Sequence, residues 1–79
     1  MEFYKKDIEV VSIIKKDGTY VPLSISTGNN QYDIDRIVEV RQANSQVGGS
    51  GLMYRIIIQD HERRIFVKQN RWWIESTKP

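Results

Sequence analysis

Leu52-Met53-Tyr54-Arg55-Ile56-Ile57-Ile58-Gln59 is the stretch on which the fold turns. Leu52, Tyr54, Ile56 and Ile58 share one parity; Met53, Arg55 and Ile57 share the other. Successive strand residues project to opposite faces. The first set is therefore a core-facing row, and the second an outward row that mixes apolar side chains with Arg. Three β-branched residues in succession oppose a helix, where their χ1 freedom is lost against the preceding turn.

The same pattern continues on both sides. Residues 7–15 read as a strand with Ile8, Val10 and Ile14 on one parity and Val11 and Ile13 on the other, so both faces are expected to be at least partly covered. Lys16-Asp17-Gly18-Thr19 is a hairpin turn, with Asp-Gly supplying positive φ. Residues 20–27 alternate, placing Val21, Leu23 and Ile25 together, and Pro22 (without an N–H) predicts an edge or a bulge. Gly28-Asn29-Asn30 turns the chain again. Residues 31–42 fit one strand with a bulge near Arg36. They also fit a helix capped by Asp35, which β-branching at Ile37, Val38 and Val40 disfavours. Asp60-His61-Glu62-Arg63 reads as a turn, residues 64–68 as a strand, Gln69-Asn70 as a hairpin turn, and residues 71–76 as the last strand. Residues 1–6 and 77–79 are expected to fray. The expected fold is all-β: one small domain, an antiparallel meander of five to six strands closing into an SH3-like barrel or a sandwich.

Seventy-nine residues make a single, marginal domain, with a folding free energy of roughly 4–12 kcal/mol. The absence of cysteine excludes disulfides, thiolate chemistry and Cys-ligated zinc. The net charge of +2 is too small to imply nucleic acid, but residues 1–35 balance to −2 and residues 36–79 to +4. Most of the basic groups in the second part are Arg, whose planar fork suits phosphate or carboxylate. Ile56-Ile57-Ile58 is far shorter than the ~20 residues of a membrane span. Met1 to Asp7 lacks the apolar run of a signal peptide. A cytoplasmic protein that does not enter a membrane is expected.

Few residues suggest chemistry. His61 sits between two acids in an expected turn and reads as solvated. Asp33 and Asp35 share a strand face and are expected to pair with Arg36, Arg41 or a strand neighbour. Gly48, Gly49, Ser50 and Gly51 form a flexible loop. They lack the Gly-Lys-Ser/Thr and following helix of a phosphate cradle. Ser45 and Ser50 have no evident base. No catalytic residue, metal site, cofactor or small-molecule substrate is expected. Trp72-Trp73 is the most informative pair, because neighbouring strand residues cannot enter the same core. Trp72 is assigned to the core. Trp73 then lies on the other face, covered by the segment Met1-Glu2-Phe3-Tyr4 or a stacked Arg, or else left open for a partner.

The two tryptophans resemble the pair of SH3 domains, but only there; the acidic-aromatic opening and Pro-Asn-Tyr ending of that family are missing, so peptide recognition is not implied. A wider pattern comprises Tyr32-x-Ile34-Asp35-Arg36-Ile37, Arg41, Gly48-Gly49-x-Gly51, Tyr54-x-Ile56-x-Ile58, Phe66 and Trp72-x-Ile74-Glu75. It spans about residues 30–76 and resembles small uncharacterised bacterial and phage proteins of similar length. That resemblance implies a compact β domain and no assigned activity.

The function expected is a non-catalytic binding module for a protein partner or a second copy of the chain. It would use Trp73, the outward Met53 and Ile57, or an open sheet edge. The alternative is nucleic-acid contact, with Arg36, Arg41, Arg55, Arg64 and Arg71 on phosphates and Trp73 stacking a base.

Overall fold

Two hairpin turns decide where the strongest strands begin. Gln59 and Asp60 have φ of +50° and +65°, and Gln69 and Asn70 have +52° and +66°. Two successive left-handed residues make the tight turn whose twist matches paired strands. The second turn is where the sequence places it. The first lies one residue earlier than expected, so His61, Glu62 and Arg63 belong to a strand. The computed structural model describes residues 3–45 and 49–77. The strands are β1 (Phe3–Ile14), β2 (Tyr20–Thr27), β3 (Asn30–Asp33), β4 (Arg36–Asn44), β5 (Ser50–Ile58), β6 (His61–Lys68) and β7 (Arg71–Thr77). Phe3 to Lys6, expected to fray, pair with Thr77 to Ile74.

All seven strands form one antiparallel sheet in the order β3-β2-β1-β7-β6-β5-β4, curled into a half-barrel. β1 makes the curl possible. Its first part, to Ile8, pairs with β7; its second part, from Glu9, pairs with β2. The fold is all-β and antiparallel as expected, but the described residues form seven strands in a half-barrel rather than five to six in a closed barrel or a sandwich. The extra strand comes from residues 31–42, which break at Ile34-Asp35. Ile34 donates its N–H to the Leu23 carbonyl and Asp35 donates to the Ile57 carbonyl, both at 2.9 Å. The Asp35 carboxylate accepts the Gln59 N–H at 3.0 Å. This two-residue link crosses from one end of the sheet to the other, leaving β3 and β4 as its two edges. The bulge expected near Arg36 lies between Ile37 and Glu39.

A second bulge corrects the reading of β2. Val11 pairs with Ser24 and Ser12 with Pro22, so Leu23 is the extra residue. Pro22 signals the bulge correctly and is buried. The side-chain alternation resets there, so Ile25 points into the core while Leu23 is exposed.

The main core fills the concave side: Ile8, Ile25, Tyr54, Ile56, Ile58, Ile65, Val67, Trp72 and Ile74. Trp72 meets Tyr20 edge-on at 5.9 Å and Tyr54 at 5.5 Å between ring centroids. Tyr54 donates its hydroxyl to the Tyr20 carbonyl at 2.7 Å, which satisfies the polar end of a buried ring. Burial pushes the Tyr54 hydroxyl above its usual pKa, and the neighbouring Tyr20 adds to the effect.

Candidate functional site

The convex face carries the residues singled out for binding. Met53, Phe66 and Trp73 are direct cross-strand neighbours on β5, β6 and β7. The Phe66 and Trp73 rings stack at 5.4 Å with planes 8° apart. This row is not a surface. Met53 is 1% exposed, Phe66 1% and Trp73 4%.

The β4–β5 hairpin covers it. Ala43 packs on Met53, Phe66 and Trp73. Ser45 donates to Glu75 Oε2 at 3.3 Å, reaching across β5 and β6 to β7. At Gly51 the chain passes so close that a β-carbon would stand 2.7 Å from the Val67 carbonyl oxygen and 3.3 Å from Trp73 Cη2. Trp73 thus lies on the face opposite Trp72, as parity requires, but in a second small core. Met53 joins it there. The cover suggested for Trp73 by Met1 and Glu2 lies outside the described residues.

Of the loop glycines, Gly48 also lies outside them. Gly49 keeps a positive φ of +88° and its carbonyl accepts the Ser45 N–H at 2.9 Å. Ser50 and Gly51 belong to β5, and Gly51 is buried rather than part of a loop. Ala43 stands opposite Gly51, two small residues where the hairpin lies on an indole.

Beside the apolar row runs a charged one. Arg55 pairs across the sheet with Glu39 on one side and Arg64 on the other. Arg41 Nε lies 3.4 Å from Glu39, Arg55 Nε 3.9 Å from Glu39 and 3.7 Å from Glu62, and Arg64 Nε 3.9 Å from Glu75. Three of the five candidate arginines therefore face carboxylates. Arg36, opposite the half-buried Ile57, and Arg71, opposite Lys68, are exposed at opposite ends of the sheet. The five do not form one basic surface. Asp35 binds the Gln59 backbone rather than an arginine.

The concave side opens at one end into a pocket of about 260 Å³. Ile25, Ile58 and Ile74 form its floor; Lys6, His61 and Arg63 stand at its rim. His61, expected on a solvated turn, starts β6 at this mouth. Among the described residues no carboxylate lines the pocket. Among the described residues no group of three His, Asp or Glu could hold a metal, and no helix is long and apolar enough to cross a membrane.

Among the described residues the exposed large aliphatics are Val11, Ile13, Ile14, Leu23, Val38 and Val40. All fall on two elements, the far half of the β1–β2 hairpin and the edge strand β4. Sequence reading missed the first group because Val11 and Ile13 were expected to have a covered face, and they stay exposed among the described residues. It missed Val40 because strand order decides which strand is an edge. No family model, curated protein or solved structure matches the chain.

Proposed function

We propose that this chain is a non-catalytic module that binds another polypeptide by strand addition to the open edge of its sheet. The observation that carries this is the position of Val38 and Val40. They lie 39% and 45% exposed on a nine-residue strand that pairs on one side only. An unpaired edge offers main-chain donors and acceptors, and alternate apolar side chains supply grip. The exposed aliphatics of the β1–β2 hairpin lie on other strands of the sheet and are a separate apolar surface.

Nucleic-acid contact has weaker support. Trp73 is covered and cannot stack a base, and Arg41, Arg55 and Arg64 have carboxylates beside them.

The test is selection of peptides from a displayed random library against the folded chain, followed by amide chemical-shift mapping. Selected peptides are expected to be rich in β-branched residues, to shift amides of β4, and to lose binding to Val40→Pro, which removes an edge N–H. Failure to select any peptide, or shifts confined to another surface, would overturn the reading. A labelled single strand that binds at low salt and is released by added salt would put nucleic acid in its place.

A further inference from the structure

The strand at this open edge is complementary to itself. We propose that two copies of the chain pair through β4, antiparallel, about a two-fold axis at Val40. This rests on the reading of β4 as the docking edge and names its occupant as a second copy.

Natural sheets protect their edges with Pro, Lys or very short strands. β3, the other edge, is four residues long. β4 has nine residues and contains neither Pro nor Lys. The bulge between Ile37 and Glu39 disturbs only its first part. In the regular part, Val40 lies opposite Tyr54 and belongs to the concave face. Glu39, opposite Arg55, and Arg41, opposite Met53, belong to the convex face. Arg41 is 61% exposed and Glu39 39%, so both can reach a neighbouring strand.

Identical strands paired antiparallel about a two-fold axis place residues symmetrically around one central position. With Val40 at the centre, Val40 faces its own copy. Glu39 faces Arg41 of the partner subunit, and Arg41 faces Glu39 of the partner subunit. Each pair replaces the Glu39–Arg41 contact made within one strand. The neighbouring registers that preserve the faces are worse. Centring on Glu39 sets Glu39 against Glu39 of the partner subunit; centring on Arg41 does the same with two arginines. Like charges directly opposite are destabilising. Centring on Gln42 loses both ion pairs and sets Val40 against an Asn. The charge pattern therefore selects one register and penalises those beside it, which is how an edge encodes specificity.

A single edge contact is small compared with a standard interface, so the dimer is weak and in rapid exchange. Sedimentation equilibrium of the full chain from about 10 µM to about 1 mM covers the range where such contacts form. The chain is expected to dimerise, with an intermolecular NOE linking the two Val40 residues. Glu39→Arg alone sets Arg against Arg at both pairs, and Arg41→Glu alone sets Glu against Glu. Each is expected to weaken the dimer about tenfold, since two favourable pairs become two repulsive ones. An equimolar mixture of the two variants is expected to form a heterodimer of at least wild-type affinity. The double variant Glu39→Arg/Arg41→Glu is expected to recover self-association. Such rescue also shows that the single variants fold.

A chain that stays monomeric across this range would overturn the second copy as occupant. Edge binding of a foreign strand would then stand or fall on the peptide selection. A dimer indifferent to the charge reversals, or one not rescued by mixing, would overturn the register.

Discussion

Gly51 lies against Trp73 with no room for a side chain between them: a β-carbon would be 3.3 Å from Cη2 of the indole, while the Val67 carbonyl oxygen blocks it at 2.7 Å. The second obstacle is backbone and cannot rotate away. Gly51→Ala must therefore shift a strand or lift the hairpin. It is expected to cost about 1–3 kcal/mol, the usual range for forcing atoms into a packed site. Urea unfolding measures the loss. A red shift in tryptophan emission would report water reaching Trp73. An unchanged midpoint together with unchanged emission would mean that the hairpin does not rest on the ring.

Trp73 itself should behave as a core residue. Trp73→Ala removes a stacked indole and leaves a cavity beside Phe66, at an expected cost of about 3–5 kcal/mol. That is comparable to the whole stability of a domain this size, so the variant should be largely unfolded at ambient temperature. Trp73→Phe keeps a ring on Phe66 and should retain the dispersed amide spectrum of the folded chain. If Trp73→Ala were as stable as wild type and had lost only partner binding, the residue would be a surface anchor after all.

Side-chain parity in the sequence located the strands well. Tyr54, Ile56 and Ile58 are buried together, as alternation requires, and Pro22 does mark a bulge. Alternation is a local rule, however, and the misreadings come from non-local causes. Ile34-Asp35 breaks a strand because Leu23 and Ile57, distant in sequence, accept its amide protons. Trp73 is covered because a hairpin two strands away folds over it. For the candidate site, the pairing of Arg55 with Glu39 and Glu62 depends on register, and the openness of β4 depends on strand order. Neither is encoded in any short window. What could have been read was the Glu39-Val40-Arg41 triplet, whose alternating charge around a valine has meaning only once β4 is known to be an edge.

Tyr54 gives the fold an alkaline limit. Its hydroxyl ionises at higher pH in the folded chain than when unfolded, because burial disfavours the phenolate. The unfolded state then loses its proton first. The stabilisation is complete below the ordinary tyrosine pKa of about 10 and is lost as pH rises from there through the raised folded value. Tyr54→Phe leaves the Tyr20 carbonyl without its donor and is expected to cost about 1 kcal/mol at neutral pH. It should also flatten the decline of stability as pH rises above about 10. Denaturant titrations of both proteins across that rise check the sign. An equally steep decline in the variant would assign the alkaline loss to other groups.

Asp35 lies in the two-residue link between the two edge strands of the sheet. Its N–H goes to Ile57 and its carboxylate takes the Gln59 N–H, so a single residue both ends the β5 ladder and starts β4. Asp35→Ala removes the side-chain bond and keeps the main-chain one. A solvent-exposed bond of this kind is expected to contribute about 0.5–1.5 kcal/mol. The loss should be local as well as global. Amide exchange should quicken at Gln59, which loses its acceptor, and at position 35 itself, while Ile65 and Val67 on the interior strand β6 should follow only the global change. Asp35→Asn retains a side-chain oxygen and should fall between Ala and wild type. Uniform acceleration of exchange over all strands, with no excess at Gln59, would show that the link is not a separate structural unit. The half-barrel would then be held closed by its apolar interior alone.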